Sequence, residues 1–361
     1  MELETQKYFR SGKTLEDIER EFAIKTTVSD ELGVVALNYN QVASPMDQRI
    51  PQECRALILE LGTWNVASRS FFKFFNYGEP LAALIDWSTA VITEKMDGSL
   101  VSFYHHRGEW RIATKGTPDA SGQAGRYQLT FRNLILLAIA DMGYSLEQFT
   151  AELDPALFYA FELVSTENRV IIPYDKRELV WLAAWNSQTL EEVDVPATRL
   201  PTRTPKTYVA DSLENLLAAA DEIGPFELEG YVVKDAQYRR IKVKTPAYLL
   251  ADRVMATVGT ARRKIEFVLS PDYDDLFSVL PTYIQEELSG IAAKVRIFAV
   301  QAQATFDSIQ HLRASRKDFA LEAVKHPYKS YLFMRLDGAE PDEALRKINS
   351  EHLARWIGID D

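Results

Sequence analysis

Two kinds of apolar pattern divide this chain of 361 residues and limit what it can fold into. From about residue 28, short runs of β-branched and aromatic residues alternate with turn residues, which is typical of strands. From about residue 253, apolar residues recur at helical spacing and few strand signals remain. The sequence therefore predicts an α+β protein. A domain with a mixed, largely antiparallel sheet covers residues 1–252, and a smaller all-helical domain covers residues 253–361.

Individual elements follow from the same patterns. Strands are predicted at residues 55–59, 91–93, 101–104, 110–113, 157–164, 170–173 and 179–185. Helices are predicted at residues 124–142, 212–222, 284–312 and 341–356. Ser212 is a suitable N-cap for the second helix. A hairpin is predicted where residues 231–234 and 240–243 flank the turn-like Asp235-Ala236-Gln237.

Composition limits the class of protein. The net charge of −11 argues mildly against a general nucleic-acid coat, whose surface is usually basic, but it leaves room for a local basic cleft. Cys54 is the only cysteine, so no intrachain disulfide can form and a reducing cytoplasm is the expected compartment. The sequence shows no signal-peptide pattern and no apolar run long enough to span a membrane.

Lys95 is the first candidate for a chemical role, because it stands just before Asp97-Gly98 and between two strand-like runs. A lysine amine is a nucleophile only when it is neutral, and its reference pKa is ~10.4. A reactive lysine must therefore be desolvated or lie near other cations. Gly98 can take a positive φ and make the turn. The alternative is a structural one, in which Asp97-Gly98 is the turn pair of an ordinary hairpin.

Lys242 and Lys244 are two residues apart in a predicted strand, so their ammonium groups should project from one face. Two cations on one face suit a polyphosphate, and they would also lower the pKa of a nearby Lys95. The alternative is an amphipathic edge strand whose lysines are simply solvated.

Glu162 and Glu229 both lie within apolar runs. A carboxylate in such a setting needs a cation, a metal or a hydroxyl donor. A structural ion pair is the alternative for each. Gly230, next to Glu229, would allow a ligand to approach the backbone closely.

Aromatic residues and cations are interleaved over residues 69–79. This composition suits a wall that stacks on a base and binds phosphate. Most of these phenylalanines are expected to be buried strand residues, with Lys73 and Phe75 as the exceptions.

Taken in order, these motifs resemble the covalent nucleotidyltransferase superfamily, and within it the ATP-dependent phage-type RNA ligases of the first class. The resemblance rests on Lys-x-Asp-Gly-Ser-Leu at Lys95, on Glu53-Cys54-Arg55 and Lys73-Phe74-Phe75-Asn76 before it, and on the spacing of the later glutamates and lysines. It covers about residues 35–250. Two positions depart from the family pattern: Ala56 replaces a common glycine, and Leu37, with Tyr39 nearby, replaces an aromatic residue.

The resemblance implies a three-step reaction. Lys95 attacks the α-phosphate of ATP and forms lysyl-AMP, the AMP moves to a 5′-phosphate RNA end, and a 3′-hydroxyl then attacks that end. Mg²⁺ or Mn²⁺ would offset the phosphate charge. The implied partners are RNA ends, either single-stranded or at breaks in tRNA anticodon loops, with no membrane and no obligate protein partner.

The resemblance also assigns roles to residues. It implies nucleotide contacts from Arg55, Lys73, Phe75, Lys115, Glu162 and Tyr248. Catalytic roles fall to Lys95, Glu229, Lys242 and Lys244, which also bind the nucleotide. Asp274 matches a possible metal site in the helical domain, although an acidic helix start is an equal alternative. The basic run Arg262-Arg263-Lys264 is either an RNA contact or a solvated face.

Three other functions remain as alternatives. A DNA ligase or an mRNA guanylyltransferase usually carries a β-barrel module after the lysine pair, and the helical pattern after residue 253 speaks against both. A non-catalytic RNA-end-binding protein is a third possibility. The presence of Lys95, Glu229, Lys242 and Lys244 argues against it.

Overall fold

The computed structural model describes residues 1–124, 129–224, 226–257, 259–271, 273–277, 280 and 282–359. The chain divides into two compact units, Met1–Tyr248 and Leu249–Asp361. No helix in the described ranges is both long and apolar enough to cross a membrane.

All of the strands in the described ranges lie in the first unit. They are β1 (Ile24–Ser29), β2 (Val34–Tyr39), β3 (Arg55–Glu60), β4 (Val66–Ser68), β5 (Phe75–Asn76), β6 (Val91–Glu94), β7 (Ser99–His106), β8 (Glu109–Thr114), β9 (Gln123–Ala124), β10 (Leu129–Thr130), β11 (Leu157–Val164), β12 (Glu178–Asn186), β13 (Glu192–Val193), β14 (Thr207–Tyr208), β15 (Gly230–Lys234) and β16 (Arg240–Lys244).

Helices occur in both units. They are α1 (Glu4–Arg10), α2 (Leu15–Phe22), α3 (Arg49–Glu53), α4 (Phe131–Asp141), α5 (Leu146–Ala151), α6 (Leu213–Asp221), α7 (Pro246–Thr257), α8 (Ala261–Val268), α9 (Tyr273–Phe277), α10 (Thr282–Ile309), α11 (Arg316–Ala323), α12 (Lys329–Leu336), α13 (Pro341–Arg346) and α14 (Ser350–Ile357).

Three sheets form the body of the first unit. The first is antiparallel with the order β1-β2-β3-β4, and the second is antiparallel with the order β13-β12-β11-β7-β8. One face of the second sheet shares a hydrophobic core with the first sheet, through residues such as Tyr104 and Trp185. Its opposite face packs against α4 and α5 through Phe103, Phe149 and Phe161. Apolar residues on both faces leave β7, β11 and β12 largely buried.

The third sheet has the order β14-β6-β15-β16-β5, in which only β16 and β5 are parallel. Ile92, Val233, Ile241 and Val243 on one of its faces are buried, in a core shared with α6. Alternation of side chains along a strand then directs the intervening residues of β6, β15 and β16 to the opposite face.

The described residues of the second unit form helices joined by turns, with no strand among them, and they have their own core. The long helix α10 contributes the central row of that core, with buried residues that include Leu288, Phe298, Ala302 and Phe306. These positions recur at helical spacing, as expected for one buried face of an amphipathic helix.

The α+β fold class predicted from the sequence is confirmed, as are the hairpin of β15 and β16 and the helix that follows Ser212. Two element predictions are wrong in part. The residues predicted as a strand at 170–173 form no strand. The helix predicted from residue 124 begins only at Phe131, after the short strands β9 and β10, and residues 125–128 lie outside the described residues.

Candidate active site

The Lys95 motif joins two different sheets. Lys95 follows β6 of the third sheet, and Ser99 begins β7 of the second sheet, so Asp97-Gly98 does not connect a hairpin. The backbone N–H of Lys95 donates to the carbonyl of Gly230 at 2.8 Å, which extends the pairing with β15 by one residue. The hairpin interpretation of this motif is therefore wrong, because Lys95 stands where the chain crosses from one sheet to the other.

The two glycines near the site are required by neighbouring strands. Gly98 does not have a positive φ; instead, a Cβ at this position would lie 2.3 Å from the carbonyl oxygen of Leu163. Gly230 has a φ of +148°, and a Cβ there would lie 2.1 Å from the carbonyl oxygen of Val243. Close packing of backbone on backbone explains both residues. Gly98 does not use the positive φ that is open to glycine, and the close approach at Gly230 comes from β16 and not from a ligand.

Asp97 is buried and holds the motif in place. Its Oδ2 accepts hydrogen bonds from the backbone N–H groups of Ile171 and Ile172, each at 2.7 Å. Its Oδ1 accepts from the hydroxyl of Tyr248 at 2.8 Å, and its own N–H donates to the hydroxyl oxygen of Tyr174. The segment predicted as a strand at 170–173 thus directs two amides to a side chain, and Tyr248 contacts the Lys95 motif through Asp97.

Glu229 links two of the predicted catalytic lysines. Its Oε2 lies 2.6 Å from Nζ of Lys95, and its Oε1 lies 3.1 Å from Nζ of Lys244. The Glu229 side chain is only 4% exposed. Glu229 directly precedes β15, which pairs with both β6 and β16, and this pairing brings the three side chains together.

Lys242 and Lys244 alternate with buried residues along β16, as predicted. Nζ of Lys242 lies 4.9 Å from the centre of the Phe74 ring, and Nζ of Lys244 lies 4.8 Å from that of Tyr248. Burial, together with the charges of nearby cations, lowers the pKa of Lys242 to about 7. This amine is therefore placed where it gains a proton readily once an anion binds.

Glu162 lies in the middle of β11, opposite Leu100 of β7. Burial raises the pKa of its carboxyl group to about 7, while the charge of Lys95 acts in the opposite direction. A carboxyl group with a raised pKa beside a nucleophile is a common feature of functional sites.

Lys95, Glu162, Lys242 and Lys244 line a cavity of about 480 Å³ in the first unit, together with side chains from all three sheets. Eight cationic side chains line it: Arg55, Lys73, Lys95, Lys115, Lys234, Arg240, Lys242 and Lys244. Four carboxylates line it as well: Glu94, Glu162, Glu192 and Asp194. The cavity is thus cationic in a chain whose net charge is −11, and its size and charge suit a nucleotide.

Comparison with known proteins agrees with a nucleotide site in this cavity. A family model described as RNA ligase matches residues 53–248, which is more than half of the chain and includes every predicted site residue of the first unit. The chain belongs to the RNA ligase family.

Two curated relatives are similar over much of the chain. A putative bifunctional polynucleotide kinase/RNA ligase of Autographa californica nuclear polyhedrosis virus is 30% identical over 72% of this chain and 39% of its own length. An RNA ligase of Rhodothermus phage RM378 is 25% identical over 84% of this chain and 85% of its own. This chain therefore spans well under half of the baculovirus protein.

Among solved structures, a mutant Naegleria gruberi RNA ligase with ATP and Mn is similar at a TM-score of 0.36 and 15% identity. The similarity covers 46% of this chain and 52% of that one.

Tyr39 is a cavity residue of this RNA ligase family member that sequence reasoning mentioned without assigning a role. Nζ of Lys73 lies 5.1 Å and Nζ of Lys115 lies 5.6 Å from the centre of its ring, whereas Leu37 is fully buried. Residues two apart on a strand normally share a face, but the pairing of β2 with β3 shifts register between Leu37 and Asn38, and the sequence pattern gives no sign of that shift.

Arg55 lines the same cavity and has a buried donor. Its Nη1 has no hydrogen-bond partner among the described residues, and its guanidinium lies 5.1 Å from the centre of the Phe74 ring. Burial lowers the pKa of Arg55, and it also lowers that of Lys115. A buried guanidinium with a free N–H is suited to donate to a bound ligand.

Phe75 takes a different position from the one predicted. It is buried in β5 and lines a neighbouring cavity, whereas Phe71 and Phe74 line the cavity of Lys95. Residues 69–74 form no strand, so of the phenylalanines in this run only Phe75 is a strand residue.

The candidates in the second unit are not gathered into a site. Asp274 is exposed in the short helix α9, and Asp272 lies outside the described residues. Over the described part of the chain, no group of three or more His, Cys, Asp or Glu side chains is arranged to hold a metal ion. In the predicted basic run, Arg262 pairs with Glu266 at 2.8 Å, and the buried Lys264 pairs with Glu287.

Proposed function

We propose that this protein is an ATP-dependent RNA ligase that joins 5′-phosphate and 3′-hydroxyl ends through lysyl-AMP and adenylated RNA. The observation that carries the proposal is Nζ of Lys95, 2.6 Å from the buried carboxylate of Glu229, on the wall of a cationic cavity. These residues lie within the part of the chain that matches the RNA ligase family model.

In the proposed first step, Nζ of Lys95 attacks the α-phosphorus of ATP, a phosphorus–nitrogen bond forms and pyrophosphate leaves. Lys95 must lose a proton before it attacks, and Oε2 of Glu229 is the nearest acceptor. Lys242 and Lys244 would bind the phosphate oxygens and stabilise the charge that develops on the leaving pyrophosphate.

The adenosine half of the nucleotide would occupy the part of the cavity near Tyr39. The Tyr39 ring provides a surface for stacking, and Lys73 and Lys115 lie over that ring. Arg55 would use its free buried N–H to bind the nucleotide. Phe75 and Tyr248 would act indirectly, Phe75 by packing beside Lys73 and Tyr248 by holding Asp97.

The donor set of the cavity fits a divalent cation that is bound mainly by the nucleotide. Mg²⁺ typically takes one or two carboxylates and completes its coordination with phosphate oxygens and water. Glu162 and Glu229 are the carboxylates that would hold Mg²⁺ or Mn²⁺, and the bound ion would neutralise phosphate charge. We extend the proposal to Asp274 as a ligand of a metal ion in the second unit.

In the second and third steps, the AMP would pass to the 5′-phosphate of an RNA end, and a 3′-hydroxyl would then displace AMP. By resemblance to phage enzymes, we extend the proposal to single-stranded ends such as breaks in tRNA anticodon loops. The cationic cavity supports a polyanionic partner, and its charge favours RNA of any sequence.

The test is to incubate the protein with Mg²⁺ and each of the four nucleoside triphosphates separately and to measure its intact mass. The proposal predicts a covalent AMP adduct with ATP alone, which Lys95→Ala abolishes and Lys25→Ala, an exposed control, preserves. A GMP adduct would instead support a capping guanylyltransferase, and no adduct with any nucleotide would support a non-catalytic RNA-binding protein. A labelled enzyme that joined nicked DNA but not RNA would support a DNA ligase.

A further inference from the structure

A second cavity, of about 680 Å³, opens beside the nucleotide cavity. Five side chains line both of them: Phe71, Lys73, Phe74, Glu192 and Arg240. Arg240 and Glu192 form a buried ion pair, so the partition between the two cavities is well ordered by contacts within the protein. Any group bound in the second cavity would therefore be a close neighbour of a nucleotide bound in the first.

The second cavity is cationic. Its lining includes Arg49, Arg69, Lys73, Arg239 and Arg240, against the carboxylates Glu191 and Glu192. Three of these cations already pair with carboxylates within the protein: Arg49 with Glu53, Arg239 with Asp235, and Arg240 with Glu192. Lys73 and Arg69 form no such ion pair within the described residues, so their charges remain available to an anion.

Arg69 is the more informative of the two, because it is only 5% exposed. Its Nη1 donates to the carbonyl of Leu190 at 2.8 Å, and its Nε donates to the carbonyl of Ser70 at 3.3 Å. Both acceptors are neutral, and Nη2 has no hydrogen-bond partner among the described residues. A buried guanidinium without a carboxylate is costly, unless an anion completes the site.

Aromatic rings hold the Arg69 guanidinium in place. The guanidinium carbon lies 3.9 Å from the centre of the Phe72 ring and 5.5 Å from that of Trp185. Arg49 approaches the Phe72 ring as well, at 4.2 Å from its centre. This packing fixes the direction of the remaining N–H groups, which is the arrangement that favours a phosphate over a diffuse counterion.

Resting on the proposed function, we propose that the second cavity binds the RNA strand that receives the AMP, with Nη2 of Arg69 donating to its first backbone phosphodiester. The 5′-phosphate of that strand must reach the α-phosphorus in the first cavity. Its next nucleotide must then lie in a space that opens directly from there. Lys73 and Phe74, which line both cavities, are placed at that passage.

The test measures binding of a 5′-phosphorylated single-stranded RNA hexamer whose 3′ end carries a fluorophore, by anisotropy at several KCl concentrations. Arg69→Gln should weaken binding about tenfold, the value of one charged hydrogen bond. It should also reduce the slope of log K against log salt by about 0.7, the contribution of one phosphate contact to a single strand. Arg69→Lys should keep the slope, and Arg132→Gln, an exposed control on α4, should match the unchanged protein.

Three results would overturn the inference. One is an unchanged salt slope in a folded Arg69→Gln variant. Another is a rise in the KM for ATP in lysyl-AMP formation as large as the loss of RNA affinity, which would assign Arg69 to the phosphates of ATP. The last is a raised KM for the 3′-hydroxyl strand alone in sealing of adenylated RNA. If circular dichroism shows that Arg69→Gln is unfolded, Arg69→Met, which removes the charge without burying a new polar group, replaces it with the same expected loss of slope.

A failure of the proposed function gives a different result, because the unchanged protein then forms no lysyl-AMP with ATP. The hexamer titration of Arg69→Gln still reports whether the cavity binds an RNA phosphate.

Discussion

Asp97→Asn tests whether the acidic residue of the Lys95 motif positions the lysine or contacts the substrate. In the structure the Asp97 carboxylate is buried and accepts three hydrogen bonds, two from the amides of Ile171 and Ile172 and one from the hydroxyl of Tyr248. Asparagine has nearly the same shape but keeps only one acceptor oxygen and carries no charge. The substitution therefore weakens the contacts and leaves the packing intact.

The expected magnitude follows from these three bonds. A hydrogen bond to a charged acceptor contributes about 1.5–3 kcal/mol, and a neutral one about half as much, so each of the two amide contacts should lose about 1 kcal/mol. The Tyr248 hydroxyl is able to rotate and accept from the new amide, so its loss should be small. The free energy of unfolding should thus fall by about 2 kcal/mol. Displacement of Lys95 by about 1 Å should slow lysyl-AMP formation by about 10²-fold.

Urea unfolding and the rate of lysyl-AMP formation, measured on the same preparations, check both numbers. Tyr248→Phe removes one of the three bonds and should produce a smaller loss of rate than Asp97→Asn, while Asp47→Asn, an exposed control, should change neither quantity. An Asp97→Asn protein that is inactive but fully stable would refute the positioning role, because it would mean that the carboxylate acts directly on the substrate. A stable and fully active variant would refute any role.

Further predictions concern the lysines and the second unit. Lys95→Ala should form no enzyme–AMP but should still seal pre-adenylated RNA to some extent, which a gel assay of both substrates checks. Lys242→Ala and Lys244→Ala should each slow self-adenylation by about 10²–10³-fold, and wild-type rates in both would refute the phosphate-binding role. Burial lowers the pKa of Lys242 to about 7, so the folded protein binds fewer protons than the unfolded chain between about pH 7 and 10. Stability contributed by this residue should rise with pH across that window and be lost as pH falls through about 7. Urea midpoints of Lys242→Met that show the same pH slope as the unchanged protein would contradict this. A fragment ending near residue 253 should keep lysyl-AMP formation but join RNA poorly, provided that circular dichroism shows it folded, and equal loss of both activities would argue against that division.

Much of the fold was predictable because its signals are local. The alternation around Lys242 and Lys244 and the turn after Lys234 depend on neighbouring residues, and both predictions are confirmed. Residues 170–173, which were wrongly predicted to form a strand, show the limit of this reasoning. The apolar residues among them look like a strand, but the amides of Ile171 and Ile172 bond to a side chain more than 70 positions earlier, and no local pattern reveals that partner.

The site shows the same division between local and distant information. The types of residue at Lys95 and Glu229 indicated their chemistry, but only the pairing of β6, β15 and β16 shows that one carboxylate contacts two lysines. Phe75 is buried, whereas Tyr39, which had no assigned role, lines the cavity. Neither outcome follows from local alternation, because residues 69–74 form no strand and the pairing of β2 with β3 shifts register between Leu37 and Asn38. Arg69 stood in a run noted for its cations, yet its burial without a carboxylate is visible only in the folded chain.

The most direct test of the account is to identify the residue that carries the nucleotide. The protein is incubated with ATP and Mg²⁺, digested under conditions that preserve a phosphoramidate bond, and its peptides are sequenced by tandem mass spectrometry. The account predicts AMP on Nζ of Lys95 and on no other residue, because Lys95 is the lysine held at 2.6 Å from the buried Glu229 carboxylate on the wall of the cavity. AMP on Lys73, Lys115 or Lys242, or a folded protein with no adduct at all, would contradict it.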